Sequence, residues 1–125
     1  YSTALLIAII QDSKLAIERW SEDAYKKYPN DPDIIAYYVA TRYLLDKKEE
    51  GDILLSQVSI ENNSSIIMEY AKLLRAMSDQ KYIEAQELLN IISKKDREKI
   101  LEWILMKIQT EIEKKMPVWD TNTVN

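Results

Sequence analysis

The chain is 125 residues long with a net charge of −4, enough for one domain burying roughly two-thirds of the surface its unfolded form exposes. Its 30% charged and 46% hydrophobic residues exclude a disordered chain. One Gly and three Pro leave little material for tight hairpins, which argues against an all-β fold. The acidic balance argues against a general nucleic-acid binder, whose basic field is missing. With no Cys there is no disulfide, thiol nucleophile or Cys-held metal, and with no His the commonest general base and transition-metal ligand are gone. No cofactor is expected.

The chain opens on Tyr1 inside an apolar helical pattern, so it reads as a fragment or processed product. The run ALLIAII (residues 4–10) is far shorter than the roughly 20 residues that span a bilayer and lacks a basic leader, so no membrane insertion is expected. Polar breaks then divide the chain into helix-length pieces, and the spacing predicts helices at 2–11, 14–28, 32–45, 50–60, 64–78, 81–93 and 97–115. Asp31 ahead of Pro32 forms an N-cap followed by a proline at the first helical position, and Pro29 stops the helix before it. Asn63, Ser64 or Ser65 can cap the fifth helix and Asp96 the seventh, and Pro117 closes the last. GDILLSQVSI (51–60) could be a strand by β-branching alone, and its place in the period makes it a helix.

The breaks recur. One kind centres on Asp12, Asp46 and Asp79, 34 and 33 residues apart, and a second on Asn30, Asn63 and Asp96, each 33 apart. Two interleaved breaks with a common period mean two helices per repeat. Within the first helix of each pair, Ile34 and Tyr37 match Ile67 and Tyr70, then Ile100 and Trp103, again at 33. Each pair begins an i, i+3, i+4 stripe that buries one helix face, so these residues are expected in the core. In the second helices a small residue recurs as Ala16, Gly51 and Ala85, with Trp20, Leu55 and Leu89 four positions on. Small residues at a fixed place allow close helix approach.

A helix pair of about 34 residues with these markers resembles the tetratricopeptide repeat. Ala16, Gly51 and Ala85 fit its small second-helix position, while Ile replaces the usual first-helix Trp and a ring stands at Tyr37, Tyr70 and Trp103 where Leu is usual. The resemblance implies an all-α fold of about seven helices, in antiparallel pairs stacked as a short right-handed solenoid. The repeat domain would run over 1–116, with a partial repeat 1–30, repeats 31–63 and 64–96, a capping helix 97–116, and a tail at 117–125. The cap should expose Glu98, Lys99, Glu102, Glu113, Lys114 and Lys115. At the other end Leu5, Leu6, Ile9 and Ile10 lack an upstream partner, so further sequence or self-association is expected to cover them.

Catalytic signatures are missing: no Gly-rich phosphate loop, HExxH or nucleophile elbow occurs. The acid pairs Glu49/Glu50 and Asp31/Asp33 sit where carboxylates favour helix N-termini, and DKKEEGD (46–52) lacks the ligand spacing of a calcium loop. The expected function is therefore a non-enzymatic protein-interaction module, part of a larger protein or assembly, binding a peptide or partner protein. The alternative is a small dedicated chaperone for a secreted or filament-forming subunit. The resemblance places the groove beside the Ile–aromatic stripe, at Ile35, Val39, Arg42, Met68, Lys72 and Arg75, with Tyr38 and Tyr43 as further contacts. Its cations would suit an acidic and apolar segment or a free carboxylate. The Asn and Lys pattern of a carboxylate clamp is not matched, since Asn62, Asn63 and Asn90 fall in or near loops. EIEKK (111–115), with mixed charge, reads as a solvated face rather than a membrane element.

Overall fold

In the computed structural model, which describes residues 1–58 and 65–116, the repeated polar breaks become repeated helix ends. Seven helices and no strand occur among the described residues: α1 (Ser2–Ile10), α2 (Lys14–Lys27), α3 (Pro32–Leu44), α4 (Lys48–Gln57), α5 (Ile66–Ser78), α6 (Tyr82–Lys95) and α7 (Glu102–Lys115). GDILLSQ is helical as its place in the period requires. The tail at 117–125 and the caps expected of Asn63 and Ser64 lie outside the described residues.

Three of the connections are the same turn. Asp12, Asp46 and Gln80 each take a left-handed conformation, with φ of 55°, 60° and 60°. Around each, two backbone bonds close a Schellman motif. Ser13 N donates to Ala8 O and Asp12 N to Ile9 O; Lys47 N donates to Arg42 O and Asp46 N to Tyr43 O; Lys81 N donates to Ala76 O and Gln80 N to Met77 O. A short polar side chain tolerates this region better than most, which accounts for Asp at two of the three sites. The helices that follow start at Lys14, Lys48 and Tyr82, 34 residues apart each time.

That spacing corrects the register read from the sequence. Ile34, Ala36, Tyr37, Val39 and Arg42, all buried in α3, recur 34 residues later as Met68, Tyr70, Ala71, Leu73 and Ala76, all buried in α5. In α7 the series continues at Ile104 and Leu105. In the second helices it is Ile17, Gly51 and Ala85 that align, followed by Ser21, Leu55 and Leu89, all buried. The markers Ala16 and Trp20 are therefore one residue out of register, and Trp20 is 37% exposed. The same offset of one residue per repeat accumulates at Ile100 and Trp103, which are 42% and 55% exposed instead of core. Ile34, Tyr37, Ile67 and Tyr70 are buried as expected.

The core sits around α3, which packs on α1, α2, α4 and most extensively on α5; α5 in turn carries α6, and α6 carries α7. A helix covered on nearly every side must be apolar almost all round, and α3 buries eight of its side chains, including Val39, Thr41, Arg42 and Tyr43. Leu5 and Ile9 of α1 are likewise buried, which corrects the expectation that they lack a partner; Leu6 and Ile10 are partly buried against the core.

Gly51 is required by close approach. A Cβ there would stand 2.8 Å from Cζ and 2.9 Å from Cε2 of Tyr43, whose hydroxyl donates to Asp52 Oδ1 at 2.6 Å. At the helix starts, Asp31 accepts from Asp33 N and Ile34 N, and Ser65 accepts from Met68 N. Asp96 does not cap α7 as expected. It is buried and accepts from Ile100 N and Leu101 N at 2.9 and 2.7 Å, folding the segment ahead of α7, so the helix begins at Glu102 instead of 97. Glu98, Lys99, Glu102, Glu113, Lys114 and Lys115 are exposed.

Candidate partner-binding groove

Among the described residues, those expected to line a groove are not gathered into one. Val39 and Met68 are fully buried because α3 and α5 pack on each other there, and Ile35 is half-buried. Arg42 is 1% exposed, which corrects its assignment as a surface cation. Its Nη1 donates to Glu22 Oε1 and its Nη2 to Ser21 Oγ, both at 3.0 Å. The guanidinium lies 4.1 Å from the Tyr38 ring centroid, and Tyr38 stacks on Tyr25 at 4.1 Å. This stack joins α2 to α3, and within the guanidinium only Nε lacks a partner. Tyr43, also buried, belongs to a second polar cluster: Lys48 bridges Asp52 at 2.7 Å and Asp79 at 2.9 Å, beside Arg75. Lys72 pairs with Glu69 at 3.6 Å. Asn90 accepts from Gln86 on the exposed side of α6, while Asn62 and Asn63 lie outside the described residues.

A different set of side chains forms a groove. α1, α3, α5 and α7 converge on a space of about 320 Å³ walled by Ile9, Ile10, Leu44, Leu74, Ile104 and Ile108. Tyr70 also lines it from the core, and Trp103, Asp12, Lys107 and Glu111 complete the lining. Its position follows from the 34-residue register: Ile10 and Leu44 are the last residues of α1 and α3, and Leu74 and Ile108 stand 34 apart in α5 and α7. Aligning the chain at 34 instead of 33 is the signal that would have found them. Trp103, one position off the buried series, is turned out to the groove's edge, where Lys107 Nζ lies 5.9 Å from its ring centroid.

Electrostatically the groove leans negative, with Asp12 and Glu111 against Lys107. Burial, with the Asp12 carboxylate adding to it, pushes the Tyr70 hydroxyl well above the usual tyrosine range, so it stays protonated. Such an arrangement can bind an apolar side chain and orient a polar one. A more open depression of about 550 Å³, lined in part by Tyr82, Ile83 and Met116, lies between α6 and the end of α7. Among the described residues no group of three or more acidic side chains could hold a metal ion, and no helix is long and apolar enough to cross a membrane. Compared with protein-family models, curated proteins and solved structures, the chain matches none.

Proposed function

We propose that this chain is a non-enzymatic protein-interaction module, its helix pairs stacked as a short tetratricopeptide-like array, which binds a segment of a partner protein in the groove between α1, α3, α5 and α7. The observation that carries the reading is the convergence of those four helices on an apolar space with a half-exposed tryptophan at its edge. An exposed Trp beside a concave apolar lining is the composition that interaction hot spots favour. The 34-residue recurrence of buried positions supports the array.

The test is capture of the partner by the wild-type chain, by Trp103→Ala and Ile10→Asp, and by Leu15→Ala as a control. Leu15 is 86% exposed on α2, away from the groove. Loss of capture in both groove variants with retention in the control supports the reading. Retention in the groove variants, or loss in the control alone, overturns it.

A further inference from the structure

One wall of the groove carries a tyrosine hydroxyl. Tyr70 is 2% exposed and lines the groove, yet it makes no hydrogen bond among the described residues. This hydroxyl is not among the fully buried unpaired atoms, so it is open to the groove, where a ligand's polar group can reach it. Asp12 lines the same groove as this hydroxyl.

Charge around the groove selects the occupant. α1 and α3 finish there, at Ile10 and Leu44, and helix C-termini carry partial negative charge. Asp12 and Glu111 add two carboxylates against the single ammonium of Lys107. Lys107 is exposed and already stands over the Trp103 ring, so that ring faces a place where a cation is accepted. The volume of about 320 Å³ suits one long side chain.

We propose that the occupant is a segment of a partner protein anchored by one Arg or Lys set between apolar residues. Its cationic head pairs with Asp12 and meets the Tyr70 hydroxyl, its methylene stem lies along Ile9, Ile104 and Ile108, and its apolar neighbours cover Trp103. This rests on the groove being the binding site and names the chemistry that it recognises.

The experiment is selection of a fully randomised nonapeptide library on the wild-type chain and on Asp12→Asn, Glu111→Gln and Tyr70→Phe. Asn keeps the left-handed turn that position 12 needs, since φ there is 55°. The expected result is at least fivefold enrichment of Arg or Lys at one position flanked by apolar residues, falling at least threefold in Asp12→Asn. Enrichment of an apolar, aromatic or acidic anchor with no basic preference overturns the inference and leaves the groove standing. No enrichment, or selected peptides that crosslink away from Trp103, overturns both.

Discussion

Gly51→Ala sets two opposed effects against each other at one site. In an ordinary helix interior the change stabilises by about 1 kcal/mol, because Gly has more freedom to lose. Here the new methyl would stand 2.8 and 2.9 Å from two atoms of the Tyr43 ring, where carbon atoms prefer about 3.5–4.0 Å. The ring must give by about 0.7 Å. It is held by its hydrogen bond of 2.6 Å to Asp52, the next residue on the same helix as Gly51, and bonds to a charged acceptor contribute about 1.5–3 kcal/mol. Overpacking of this kind costs about 1–3 kcal/mol, so set against that gain the net expectation is a loss of up to about 2 kcal/mol. Urea unfolding followed by far-ultraviolet circular dichroism measures it. Repeating the change in a Tyr43→Leu background, where the crowded ring atoms are gone, should reverse the sign to a gain of about 0.5–1 kcal/mol. A gain in the Tyr43 background, or the same sign in both, would refute the reasoning.

Trp103→Ala should cost less than about 1 kcal/mol, whereas Leu105→Ala, two residues on and buried, should cost about 2–4 kcal/mol in the same urea assay. A loss above about 3 kcal/mol at Trp103 would return that ring to the core. Arg42→Met should change stability by less than about 1 kcal/mol, because an apolar isostere replaces a buried charge, while Arg42→Glu should cost more than about 3 kcal/mol beside Glu22. Equal thermal midpoints for the two variants would contradict this. At Asp52 burial acts to raise the carboxyl, but the hydrogen bonds from Lys48 and Tyr43 and the Lys48 charge outweigh it and hold the group below its ordinary value of 3.8. Its contribution is therefore present above that value and lost as pH falls through the folded value. The stability gap between wild type and Asp52→Asn should be constant above about pH 5 and close below about pH 4; a gap that widens in acid would show that the carboxylate is not so held.

Helix content and the two interleaved kinds of break were legible in the sequence, because caps, prolines and polar turns act through neighbours a few residues away. Asp31 with Pro32 starts α3 where those residues require it. The repeat length was legible only to within one residue, and that residue mattered. Ile100 and Trp103 repeat the spacing of Ile67 and Tyr70, yet α7 begins later because Asp96 folds the segment ahead of it. A shift of one position turns a helical side chain by about 100°, enough to carry Trp103 from the core to the edge of the groove.

What the sequence determined by itself was local: the helical content, the polar breaks between helices and the start of α3 at Asp31 and Pro32. What only the tertiary structure decided was which helix would be covered on every side. In the sequence Arg42 is a cation expected to face a groove, and it is buried instead because α2 and α3 bring Glu22, Ser21 and Tyr38 around it. Burial is a property of the neighbours that packing supplies, and Glu22 and Ser21 lie 20 and 21 residues away from Arg42 in the chain.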